Sequence, residues 1–396
     1  MQSNKVIPLA EHVLTVCNAC RYCEQFCPVF PAVENRLTFA KGDLMYLANL
    51  CHNCGECLYA CQYAPPHEFG INVPRTLAQL RLESYEEYCW PRPLARLFRY
   101  NGIGASTALA AAFAVVMFGA AMWVRGDRVW AAGGGQFYAV IPHGVMVGLF
   151  GGVFAFVLLA LGIGLHNFWR SIDLTRRSGP QPARSTFDAL RDALTLRHLH
   201  GSGQDCTAAE EKRTPWRRWF HHCTFYGFML CFASTTVAAI YHSVLQREAP
   251  YPYLSLPVVL GTLGGVGLVI GPVGLLLLRR GRDRSLGDPD QDSMDTSFLT
   301  LLFLTSVTGL LLLVLREHWL MGSLLIVHLG AVLALFVTLP YGKFVHGLYR
   351  AAALLKYARE DALPHPQVAQ PHRVPALGRP DYIGSPTPVG REQPIQ

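Results

Sequence analysis

Eight cysteines between residues 17 and 61 carry the clearest chemistry in this sequence. Cys17, Cys20, Cys23 and Cys27 are followed by Pro28, and 23 residues separate Cys27 from a second run, Cys51, Cys54, Cys57 and Cys61. Four thiolates hold a [4Fe–4S] cluster, and in two-cluster arrangements the fourth cysteine of each run serves the other cluster. The spacing therefore groups Cys17, Cys20, Cys23 and Cys61 on one cluster and Cys27, Cys51, Cys54 and Cys57 on the other. A structural zinc site uses two Cys-x-x-Cys pairs rather than two runs of four. A disulfide framework needs an exported segment. Gln62 stands where the first run has its proline, which leaves the ligands untouched.

Histidines form the second candidate set. His143 and His166 stand at the ends of one apolar stretch, His221, His222 and His242 bracket another, and His318, His328 and His346 mark the last. Imidazole is a common axial ligand of haem iron, and ligating residues within membrane spans are functional candidates. His346 follows His328 by 18 residues, which on one helix is five turns and about 27 Å. That places both on one face at opposite membrane depths. A neighbouring antiparallel span puts His222 at the depth of His346 and His242 near that of His328. The expected inner haem b pair is His222 and His346, with His221 a competitor; the expected outer pair is His242 and His328, with His143 a competitor.

These groups need a membrane to stand in. The 396 residues are 51% hydrophobic and only 15% charged, well below the roughly 25% charged residues of soluble domains. Six apolar stretches account for the excess, at about 103–124, 141–165, 223–241, 254–278, 298–315 and 319–339, each near the roughly 20 residues that cross a bilayer. The net charge of +7 comes from residues lying mostly between these stretches, so it is a topology signal and not a nucleic-acid surface. Basic residues crowd loop 170–218 (Arg170, Arg176, Arg177, Arg184, Arg191, Arg197, Lys212, Arg213, Arg217, Arg218), then Arg279, Arg280, Arg282 and Arg284, then Lys343, Arg350 and Lys356; the alternate loops hold only Arg125, Arg128, Arg247 and Arg316. The positive-inside rule puts both termini and the cysteine head in the cytoplasm of a multi-pass inner-membrane protein. Glu11 and His12 interrupt any signal-peptide core.

The expected fold is mainly α: a small α-helical two-cluster ferredoxin domain over 1–95, a six-helix transmembrane bundle over 96–350, and a Pro-rich disordered tail over 351–396. Metal is expected to supply much of the stability of so small a head. Gly261–Gly274 and Pro272 predict close packing or a kink in the fourth span. Cys89, Cys206, Cys223 and Cys231 are read as structural. No glycine fingerprint follows a predicted strand and no acid/base or nucleophile set stands out, so substrate chemistry is assigned to another chain.

The stretch from Val327-His328-Leu329 through Pro340-Tyr341-Gly342-Lys343-Phe344-Val345-His346 resembles the last haem-binding helix of respiratory nitrate reductase gamma subunits. Trp219-Phe220-His221-His222 resembles the start of the partner helix, which carries His222 over as a ligand; Phe232 stands where that resemblance puts the second partner. The whole layout resembles the tricarballylate and citrate utilization protein B family. The resemblance implies that the chain reoxidises the reduced FAD of a partner dehydrogenase (the A protein, which oxidises tricarballylate to cis-aconitate) and passes electrons through clusters and haem b to quinone. Two other readings use the same residues: a quinol-oxidising subunit feeding a cytoplasmic acceptor of the heterodisulfide reductase type, and a haem-free anchor or redox sensor.

Overall fold

A computed structural model describes residues 3–126, 137–173, 183–200, 206–207 and 213–361. In the cysteine-rich head, α1 (Ser3–Cys20), α2 (Val29–Glu34), α3 (Lys41–Leu50), α4 (Glu56–Tyr59) and α5 (Val73–Tyr88) follow one another. Asn72 caps α5 by accepting from the Arg75 amide, and Pro74 sits in its first turn, where no backbone donor is needed.

Beyond the head run α6 (Arg92–Arg125), α7 (Phe137–Val140), α8 (His143–Asp173), α9 (Ala183–Leu194), α10 (Trp216–Ser243), α11 (Leu256–Arg280), α12 (Pro289–Val314), α13 (Met321–Thr338) and α14 (Val345–Asp361). Six of these, α6, α8, α10, α11, α12 and α13, are long and apolar enough to cross a membrane. The chain is a multi-pass membrane protein, mainly α, with the six helices in one bundle. Their outward faces stay apolar: Trp123 is 92% exposed and Val115 70%, the pattern of a surface solvated by lipid. The only β pairing among the described residues is the two-residue ladder Cys206–Thr207 with Arg213–Thr214.

α10 and α11 lie backbone to backbone. A Cβ on Gly264 would stand 2.8 Å from the Cys231 amide nitrogen, and one on Gly227 would stand 2.9 Å from the Gly264 carbonyl oxygen. Small residues permit this approach where the membrane offers no hydrophobic driving force between helices.

Two expectations change. The run from His328 to His346 is not one helix: α13 ends at Thr338, turns occupy 339–344, and α14 begins at Val345. Pro340 supplies no backbone donor and its ring disfavours continuation, so a shared face for the two histidines does not follow. Residues 351–361, assigned to the tail, are the body of α14, with Tyr349, Ala353 and Leu354 buried. Residues 362–396 lie outside the described residues, as do Arg128, Arg176, Arg177 and Lys212.

Head and bundle share one core. Leu14, Leu44, Leu47 and Tyr85 of the head pack in the same cluster as Phe168 and Ile172 of α8, Met294 of α12 and Tyr349 of α14. Phe168 stacks on Tyr349 with ring centroids 4.6 Å apart. Buried charge seals the same seam: Arg36 reaches Asp43 and Glu360, each at 2.7 Å, with Lys356 at 3.5 Å from Glu360.

Candidate functional site

The head's short helices fix the cysteines. Cys17 and Cys20 occupy the last turn of α1, three residues apart and so on one face. Cys27 precedes α2, Cys51 caps the C-terminus of α3, Cys57 lies in α4 and Cys61 just beyond it. Cys17, Cys20, Cys23 and Cys61 line one cavity, together with Cys57. Cys27, Cys51, Cys54 and Cys57 line a second. Burial pushes the Cys17 thiol up to about 12, and its neighbours Cys61, Cys23 and Cys20 add to the effect. Cys27 is raised by burial and then by Cys54 and Cys51. Thiols so placed stay protonated on their own, so binding of iron here would release protons.

Among the described residues, no three His, Cys, Asp or Glu side chains converge as ligands of a single metal ion. The thiols instead line two adjoining cavities that share Cys57, a donor set that fits thiolate-ligated iron–sulfur clusters. Gly55, between Cys54 and Glu56, has φ +92°, and a Cβ there would stand 2.9 Å from Leu286. Only glycine fits a left-handed turn at so close an approach.

The loop of the second site is held from four directions, which the sequence reading did not foresee. Arg81 on α5 donates to the carbonyls of Ala48 at 2.9 Å and Cys51 at 2.8 Å. Arg217 at the start of α10 donates to His52 at 3.0 Å and Asn53 at 2.8 Å. Arg282, after α11, donates to Asn53 at 2.7 Å. Arg350 on α14 donates to Asn49 at 3.3 Å and also to Cys51. Tyr59 donates to Asp283 at 3.1 Å, and Asn72 to the Ser285 carbonyl at 2.9 Å. Residues counted above as topology signals therefore fasten the head onto the bundle, and the basic loops and the head share one side of the molecule. His52 faces His198 with centroids 5.8 Å apart, and burial, followed by Arg350, holds it well below the usual imidazole range.

The histidines pair differently from expectation. His346 meets His221, not His222: their ring centroids are 6.1 Å apart, at an interplanar angle of 78°. His222 turns to Tyr226, stacked at 5.6 Å. His346 Nδ1 donates to the Lys343 carbonyl, the hydrogen bond that leaves the other ring nitrogen for a metal. Burial, followed by the Lys343 cation, holds His346 well below the usual imidazole range and therefore neutral. His221 Nδ1 is shut off from solvent and, among the described residues, has no hydrogen-bond partner. Metal–imidazole bonds of roughly 2 Å on each side place ring centroids on the order of 6 Å apart. The two imidazoles are therefore the donors that would hold a haem iron here, which would supply a one-electron carrier. On the far side, His242 meets His143, not His328, with centroids 4.1 Å apart and Tyr138 close to both. His328 bonds the Thr308 hydroxyl at 3.0 Å, and His143, the competitor for the outer position, is the histidine beside His242. A cue to the inner pairing stood in the sequence: Arg217 precedes His221 by four residues and Arg350 follows His346 by four.

Two comparisons with known proteins bear on this arrangement. The family described as Citrate utilization protein B matches residues 104–367, and its Fer4-like domain matches residues 10–87. Citrate utilization protein B of Escherichia coli is 51% identical over 352 residues, covering 88% of this chain and 91% of that protein. No solved structure matches the chain.

Proposed function

This chain belongs to the citrate utilization protein B family, and from that premise we propose that it is a membrane electron-transfer subunit. It takes electrons from the reduced FAD of a partner dicarboxylate or tricarboxylate dehydrogenase, with tricarballylate the substrate implied by resemblance, and delivers them to quinone in the bilayer. Iron–sulfur clusters at the two cysteine sites and haem b at the histidine pair, when bound, supply one-electron carriers between two-electron flavin and quinone chemistry. Cys17, Cys20, Cys23 and Cys61 would hold one cluster, and Cys27, Cys51, Cys54 and Cys57 the other. His221 and His346 would hold haem. The chain's own work is to keep these sites dry, fix their spacing and neutralise their charge. The arginine-rich side faces the cytoplasm of the inner membrane, in keeping with the positive-inside rule.

One observation carries this reading. α10 and α14, which bring His221 and His346 together, are the same helices whose Arg217 and Arg350 grip the loop from Asn49 to Asn53. The test is quinol formation by the full chain in lipid vesicles containing a long-chain quinone, with chemically reduced FAD as the donor. Quinol is expected with the wild-type chain and background amounts with Cys54→Ser. Equal quinol from both would overturn the reading.

A further inference from the structure

The two cysteine sites sit in unlike electrostatic surroundings. The loop of the second site receives hydrogen bonds from four guanidiniums, those of Arg81, Arg217, Arg282 and Arg350. The Asn53 amide also donates to the Cys51 sulfur at 3.3 Å. Against these stands Glu56, the one carboxylate among the described residues lining that cavity, which also faces Cys23 of the first site. Among the described residues no charged side chain lines the first cavity, and Tyr22, which lines it, is 68% exposed. Adding an electron to an iron–sulfur site increases its negative charge. Cations and sulfur hydrogen bonds held in a low-dielectric interior therefore favour its reduced form and raise its potential.

Two of these arginines have a second relation. Arg217 stands one turn before His221 on α10, and Arg350 one turn after His346 on α14. Each side chain thus lies on the helix face of its histidine and extends to the loop of the second cysteine site.

We infer that the Cys27, Cys51, Cys54 and Cys57 site is the electron exit of the head and the higher in potential, set so by Arg81, Arg217, Arg282 and Arg350, with Arg217 and Arg350 joining it to the His221–His346 pair. The Cys17, Cys20, Cys23 and Cys61 site is then the receiving site, at the exposed end. The step between them moves one electron, oxidising the first site and reducing the second, with no bond made or broken and no proton exchanged. This inference rests on the function proposed above. Arg217 and Arg350 are positioning residues in it.

The test is a potentiometric titration of the full holoprotein in detergent, followed by electron paramagnetic resonance. Two iron–sulfur waves are expected, the higher altered by Cys54→Ser and the lower by Cys20→Ser. Arg350→Gln should move the higher wave downward and leave the lower in place, and Arg217→Gln should do the same. Arg350→Lys should bring the wave part of the way back, since it restores charge but not the guanidinium fork. Movement of the lower wave, equal movement of both, or no movement in either glutamine variant would overturn the inference while leaving the electron-transfer reading intact. A wild-type protein with no iron–sulfur wave would instead remove the reading itself.

Discussion

Arg36 is the residue on which the seam between head and last helix depends. Its guanidinium, 8% exposed, lies between Asp43 and Glu360 and above the Tyr46 ring at 4.9 Å. Removing one partner of a buried ion pair leaves the other charge uncompensated and costs roughly 3–5 kcal/mol. Arg36→Met should therefore lower the thermal stability of the full chain, read as a drop in melting temperature. An unchanged melting temperature would show that solvent already compensates Asp43 and Glu360. Gly55 makes a sharper case. Gly55→Ala places a side chain at φ +92° and against Leu286, with backbone strain of order 1–3 kcal/mol in the loop that carries Cys54. Iron and acid-labile sulfide should fall to about half of the eight irons that two [4Fe–4S] sites hold. A full iron count would contradict the assignment of that loop to a cluster.

At the level of elements, the α10–α11 pair depends on facing glycines. Gly264→Leu would drive a side chain into the Gly227 carbonyl and the Cys231 backbone, and overpacking of this kind costs typically about 1–3 kcal/mol. The variant should lose thermal stability and shift α10, so haem content should fall with it; retention of both would mean the helices can separate without consequence. Much of this level was legible in the sequence. Six apolar stretches announced six helices because hydrocarbon demands long, uninterrupted backbone pairing, and Gly261–Gly274 announced close packing. Helix boundaries within the last stretch were not legible. An apolar run continues through Leu339, and only the turn over 339–344 shows that His328 and His346 belong to separate helices. Histidine spacing alone does not settle the pairing: adjacent His221 and His222 differ by about 100° around a helix, and the rotation of α10 against α14 decides which one faces inward. The cysteine spacing, by contrast, is read locally and does not depend on how helices rotate.

For the whole molecule, the main consequence is that the cysteine head is not an appendage. Phe168, Ile172, Tyr349 and Leu354 are buried in its core, and each large apolar side chain so buried is worth roughly 1.5–3 kcal/mol. A fragment ending at residue 95 loses all four, together with Arg217, Arg282 and Arg350. It should be less stable than the full chain and hold iron poorly, which proteolysis and iron counting would show; a stable fragment with the full complement would mean that metal alone organises the head. Composition suggested a head that relied on metal because the partner helix is remote in sequence: α14 returns to α3 across some 300 residues, as Arg350 does to Asn49. The most direct measurement for the electron path is the reduced-minus-oxidised optical spectrum of the detergent-purified full chain and of its His221→Ala and His222→Ala variants. A b-type α band in the wild type, lost in His221→Ala and kept in His222→Ala, is the expected result. A band that survives His221→Ala, or none in the wild type, would contradict haem ligation by the His221–His346 pair.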